Sequence, residues 1–268
     1  MFATIVLIFL TIVLSYIGFR DELFIDKYSF RVDKVTGAKE YHRLVSSGFL
    51  HISWLHLLVN MFVLFSFGTG MEAYVGVARF MLIYFASLIG GNLLALVIHK
   101  HQFYYSSVGA SGAISGLVFA TIALLPGMKI FFIPGWIFGL VYVLYTLYAI
   151  RAERRDIGHA AHLGGGLVGM ALALLLFPQT IVTNWIPVVC VFLPAVALIL
   201  IMIYKPNWIL INKADVKRSM TYEDRYNSSK HTSQHEIDRI LEKINERGMK
   251  SLTKKEKELL QQYAKSQR

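Results

Sequence analysis

Seven stretches of the chain, near 2–19, 49–71, 78–99, 107–125, 130–150, 159–177 and 181–204, run long and apolar with almost no formal charge. Crossing about 30 Å of hydrocarbon takes roughly 20 such residues in a helix, which satisfies its own backbone N–H and C=O groups where no water can reach them. The pattern predicts an all-α polytopic membrane protein. Composition agrees: 55% of the 268 residues are hydrophobic and 16% are charged, outside the balance of a soluble domain. Pro126-Gly127, Pro178 and Pro206 punctuate the ends of the runs. The first run has no basic leader and no small-residue cleavage pattern before Arg20, so it reads as a retained span rather than a signal peptide. The single cysteine, Cys190, excludes an intramolecular disulfide and a cysteine metal cluster.

With the apolar runs almost free of Asp, Glu, Lys and Arg, the informative positions are the polar residues inside them: His56, Asn60, Asn92, Ser111 and His162. Following the chain back and forth across a bilayer, runs two, four and six all begin on one side. His56 and Asn60 then lie one to three turns into run two, and Ser111 and His162 about one turn into theirs, at 1.5 Å per residue. All four share one leaflet. Asn92 is past the middle of run three, within reach of either a neighbouring helix or this cluster. His56 and Asn60 are four apart and share a helix face. Gly112 and Gly116, and again Ala161, Gly165 and Gly169 in "AHLGGGLVG", are also four apart, a spacing that lets helix backbones approach closely.

Each residue has a plain reading. Ser111 is a small residue of the kind that lines helix contacts, His162 can be a satisfied structural histidine, and His56 and Asn60 can bond neighbouring helices. Packing alone does not demand that all four agree in depth, face and small-residue spacing, and that agreement favours chemistry. His162 as general base can take the Ser111 proton, making a nucleophile able to attack a carbonyl, and later protonate the leaving amine. The Asn60 amide, His56 and backbone amides near Ser111 can stabilise the resulting oxyanion. No acid lies nearby: Glu72 is at the far end of run two, so the arrangement is a Ser-His dyad rather than a triad.

These residues resemble the rhomboid family of intramembrane serine proteases. Gly109-Ala110-Ser111-Gly112 matches its GxSG motif, and Ala161-His162 with Gly165 and Gly169 its AHxxGxxxG helix. His51, His56 and Asn60 in "HISWLHLLVNM", Arg43 before them and Glu72 in "GTGMEAYVG" match as well. The resemblance runs from residue 1 to about 177. It implies a six-helix core, Ser111 as nucleophile, His162 as base, and His56, Asn60 and the Ser111 amide around the oxyanion, with Arg43 and Glu72 structural. It also implies a wet cavity, a gate near run five, where Pro134, Gly135 and Gly139 stand, and neither cofactor nor metal. Two departures stand out: His42 precedes Arg43 where the family often has Trp, and Ser115 replaces an aromatic that stacks on the histidine in many members.

The implied organisation is a protease core over 1–178, an additional seventh span within 179–206 and a basic tail over 207–268. From Lys205 onward the tail holds 15 Lys/Arg against 9 Asp/Glu. Ile237, Ile240, Leu241 and Ile244 follow a helical stripe that stops at Gly248. Thr253 and Glu256 are spaced as a capping box for a second helix carrying Leu259, Leu260 and Tyr263. The tail resembles extensions of some bacterial rhomboids, implying a multi-pass protein of the bacterial plasma (inner) membrane. Orientation presents a conflict. The family arrangement with seven spans puts the tail, Arg151, Arg154 and Arg155 outside, leaving only Arg79 and Lys129 in inner loops, against the usual positive-inside bias. The expected partners are membrane lipids and transmembrane protein substrates, with no nucleic acid. The alternatives are a non-catalytic rhomboid-like protein that binds or escorts membrane clients, a proton-coupled transporter, disfavoured by the missing intramembrane carboxylates, and a metalloprotease, disfavoured by the missing HExxH.

Overall fold

The computed structural model describes residues 1–102, 105–130, 132–151 and 158–205, together with 240, 243–244, 252–253 and 256. The chain divides into two units, 1–219 and 220–268. In the first, α1 (Phe2–Arg20) leads into a loop region holding α2 (Glu22–Tyr28), β1 (Phe30–Arg31), α3 (Val32–Thr36), α4 (Arg43–Ser46) and a 3-10 turn at Ser47–Phe49. Then come α5 (Trp54–Val75), α6 (Val77–His99), β2 (Ser106–Ser107), α7 (Ser111–Leu124), β3 (Lys129–Ile130), β4 (Ile133–Pro134), α8 (Gly135–Arg151), α9 (His159–Leu176), α10 (Gln179–Thr183) and α11 (Trp185–Tyr204). Five helices among the described residues, α1, α5, α6, α9 and α11, are long and apolar enough to cross a membrane, and α7 and α8 are shorter apolar helices. This is a multi-pass helical membrane protein.

The sequence places all seven apolar helices but sets some starts too early. Run two begins as a helix only at Trp54, where the Ser53 hydroxyl accepts a hydrogen bond from the His56 amide (3.2 Å), as an N-cap should. His51 therefore lies in the preceding loop. Run four begins at Ser111 rather than 107, because Gly109 takes φ +133°, a value incompatible with helix. Ser111 is the first residue of its helix, not one turn in. Pro134 lies in β4 and Gly135 opens α8, so neither interrupts that span. Gly139 instead offers a flat contact to α7 and α11: a Cβ there would sit 3.1 Å from Ile122 and 3.2 Å from Val191. The seventh run folds as α11, with Pro194 inside it.

The centre is α6, α7 and α9, which pack on one another; α8 pairs with α11, and α1 with α5. At 14 residues, α7 extends only about 21 Å. Twelve of those residues are buried, leaving it almost no face for lipid. Glycines explain its closeness to α9. A Cβ on Gly165 would collide with the Gly112 carbonyl, and one on Gly169 with the carbonyl of Gly116, so the two backbones touch where side chains would normally intervene. On the third side, a Cβ on Gly91 of α6 would strike the Ala161 carbonyl.

Polar groups anchor the periphery. Glu72 is buried and accepts from the Ala3 amide (3.0 Å), the Thr4 amide (2.8 Å) and the Thr4 hydroxyl (2.8 Å), satisfying donors that the first turn of α1 leaves open. Buried Arg43 donates to Glu40 (2.6 Å) and to the carbonyls of Asp26 (2.6 Å) and Ser29 (2.8 Å), stitching the loop region. The His42 ring meets Tyr28 edge-on at 6.3 Å.

In the second unit, the Glu256 amide donates to the Thr253 hydroxyl (3.3 Å) and the Thr253 amide to the Glu256 carboxylate (2.7 Å), the reciprocal capping box read from sequence. Lys243 donates to the same carboxylate at 2.9 Å. Ile237, Leu241, Gly248, Leu259, Leu260 and Tyr263 of the expected helical pair lie outside the described residues, as do Arg154 and Arg155.

Gly169→Val should destabilise the protein by at least about 1–3 kcal/mol through overpacking. Gly70→Ala, where a Cβ meets nothing within 4 Å, should be neutral or slightly stabilising. Thermal unfolding in detergent compares the two.

Candidate active site

Three elements hold the loop ahead of α7. The β1–β2 ladder pairs Phe30 with Ser107, the Gly109 amide donates to the Ser47 carbonyl (3.0 Å), and Asn92 of α6 donates to the Leu44 carbonyl (2.8 Å) and the Ser47 hydroxyl (3.1 Å). Asn92 thus belongs to the loop support rather than to the Ser111 cluster. Its anchoring of Ser47 is carried through the carbonyl of that residue to Gly109. The positive φ at Gly109 then turns the chain into α7. As at any helix start, the first-turn amides of Ser111, Gly112 and Ala113 have no intrahelical acceptor.

Ser111 and His162, 51 residues apart, meet here: Ser111 Oγ lies 2.6 Å from His162 Nε2. Both are half-buried, reachable by a reactant yet flanked by packed helices. His162 is the fourth residue of α9, and its depth follows from the glycine contacts that seat α9 on α7. On its other side, His162 Nδ1 lies 3.2 Å from the Tyr142 hydroxyl of α8. The Tyr142 ring meets Phe119 of α7 edge-on at 5.8 Å.

His56 covers the serine loop. A Cβ on Gly109 would sit 3.0 Å from His56 Cε1, 3.1 Å from its Nε2 and 3.6 Å from Ser111 Oγ, so glycine is needed for space as well as for φ. Behind it, the His51 ring meets His56 edge-on at 4.8 Å. Ser15 of α1 donates to the Phe49 carbonyl (3.1 Å) and lies 3.0 Å from His51 Nδ1. Burial, then the neighbouring His56, pushes the His51 imidazole down to about 3, which keeps it neutral at physiological pH. Asn60 is buried one turn beyond His56 and donates to the His56 carbonyl at 2.9 Å. Among the described residues, no Asn60 hydrogen bond to Ser111 is formed.

Sequence reasoning brings together Ser111, His162 and His56, and misses Tyr142. The signal available was indirect: Ser115 removes an aromatic next to the histidine, so another group has to occupy that space. Tyr142, Tyr145 and Tyr148 of α8 all fit that requirement by composition, and only the helix rotation selects the first.

A family model described as the rhomboid domain matches residues 38–179, and one described as a family of unknown function (DUF6576) matches 220–266. Rhomboid protein 1, mitochondrial, of Saccharomyces cerevisiae is 32% identical over 136 residues, 47% of this chain and 39% of that protein. RHOMBOID-like protein 4 of Arabidopsis thaliana is 34% identical over 153 residues, 54% of this chain and 36% of its own length. The human presenilin-associated rhomboid-like protein, mitochondrial, is 32% identical over 135 residues, 47% of this chain and 36% of its own. This chain thus spans well under half the length of these relatives. With a domain match that covers the serine, the histidine and the helices that carry them, the chain belongs to the rhomboid family.

Proposed function

We propose that this protein is an intramembrane serine endopeptidase that hydrolyses peptide bonds in or beside transmembrane segments of membrane proteins, through a Ser111-His162 dyad and without a cofactor. The observation that carries the reading is the 2.6 Å approach of Ser111 Oγ to His162 Nε2 between two helices of a multi-pass protein. Ser111 Oγ attacks the carbonyl carbon while its proton passes to His162 Nε2. The negative charge on the carbonyl oxygen falls to the open amides at the start of α7, whose dipole also favours an anion. Asn60 contributes as well: its amide nitrogen carries two hydrogens, and the bond to the His56 carbonyl uses only one. Collapse of the adduct breaks the C–N bond, and His162 protonates the departing amine. Water, activated by the same imidazole, then releases the acyl group from Ser111. His56 borders the oxyanion region, and Arg43, His51, Glu72, Gly109, Gly112, Gly165 and Gly169 hold the framework.

In this reading residues 1–178 are the protease core, 179–206 add one membrane helix, and 207–268 are a basic tail whose charge can attract anionic lipid. The membrane is the plasma membrane of a bacterium, on the likeness of the tail to bacterial extensions. Substrates are single-span proteins with small or helix-loosening residues near the interface that Ser111 faces.

In detergent, the purified wild type should react with a fluorophosphonate probe and cleave a single-span test substrate, and Ser111→Ala should do neither. Cleavage surviving in that variant would reject the nucleophile, and substrate binding without cleavage by the wild type would favour a client-escorting role. Asn60→Ala should lower turnover by up to about 10²- to 10³-fold as an oxyanion donor is lost; an unchanged rate removes Asn60 from that role.

A further inference from the structure

We infer that Tyr142 is the positioning residue of the dyad: its hydroxyl holds the outer nitrogen of His162 and makes alignment of the base depend on the seating of α8. The inference rests on the dyad proposed above. A base that accepts a proton at Nε2 must carry its ring proton on Nδ1, and that tautomer persists only where Nδ1–H has an acceptor. In serine triads a carboxylate fills this place; here the group at Nδ1 is a phenol, 3.2 Å away.

With Nδ1–H donating, the Tyr142 oxygen is the acceptor, through one of its lone pairs. The donors then run in one sense, from Ser111 to His162 Nε2 and from His162 Nδ1 to Tyr142. Ser115 and Phe119 are four apart on α7, the helix of Ser111, and Phe119 sets the Tyr142 ring edge-on at 5.8 Å. Tyr142 is thus oriented by the nucleophile's helix and in turn orients the base on α9.

The three helices are not equally fixed. α7 and α9 are in backbone contact through Gly112, Gly165 and Gly169, whereas α8 packs mainly on α11 and only lightly on α7 and α9. A shift of α8 leaves Ser111 beside His162 but withdraws the acceptor from Nδ1.

The test compares Tyr142→Phe, which keeps the ring against Phe119, with Tyr145→Phe, whose side chain is exposed. Both are full-length proteins checked by thermal unfolding in detergent. Tyr142→Phe should lower kcat and the rate of fluorophosphonate labelling by roughly 10- to 100-fold, the scale known for orienting partners of metal-bound histidines, with KM changed less than about twofold; Tyr145→Phe should match the wild type. In ¹⁵N-histidine NMR, His162 should carry its proton on Nδ1 in the wild type and show mixed tautomers in Tyr142→Phe. Labelling of Tyr142→Phe at the wild-type rate, or a wild-type His162 with its proton on Nε2, overturns the inference. If Tyr142→Phe fails to fold, the wild-type tautomer alone decides. Absence of labelling in the wild type would instead sink the dyad itself, so the two failures are distinguishable.

Discussion

Backbone-to-backbone contact between α7 and α9 is the constraint on which the remainder of the molecule depends. A serine hydroxyl stands one carbon from its backbone and an imidazole only slightly farther, so a 2.6 Å approach between them requires helix axes closer than ordinary side chains allow. Gly165 against the Gly112 carbonyl and Gly169 against Gly116 provide that closeness. Because these contacts form a regular ladder, they also fix the relative rotation and height of the two helices. The height is what brings the fourth residue of α9 level with the first of α7.

A second layer of organisation makes the start of α7 rigid. Gly109 occupies a backbone region that other residues rarely enter, and it is held by a main-chain bond to Ser47, itself fixed by Asn92. Buried polar groups of this sort are costly unless paired, and Asn92 finds its partners in the loop between α1 and α5. The loop is therefore a structural element, and His51 and Arg43 within it are buried.

Much of this was readable from residue types and spacing. Charge-free runs revealed the helices because hydrocarbon tolerates little else, and i, i+4 glycines revealed the close pair because only small residues permit it. Helix starts were less accessible: residues 49–53 and 107–110 are nearly as apolar as the helices they precede, and only the Ser53 cap and the Gly109 dihedral separate them. The destination of Asn92 and the role of Tyr142 were hidden because both depend on partners distant in sequence. Three tyrosines at i, i+3 and i+6 along α8 look equivalent until the rotation of that helix is known.

The shortness of α7 sets how the protein senses its bilayer. Its 14 residues span about 21 Å, against about 35 Å for the 23 of α6, but its enclosure means that acyl chains never measure it directly. Hydrophobic mismatch acts instead on the outer helices, by tilt or by local thinning. A thicker or thinner membrane therefore strains the wall of the molecule first, while the pair of helices bearing Ser111 and His162 keeps its own internal register.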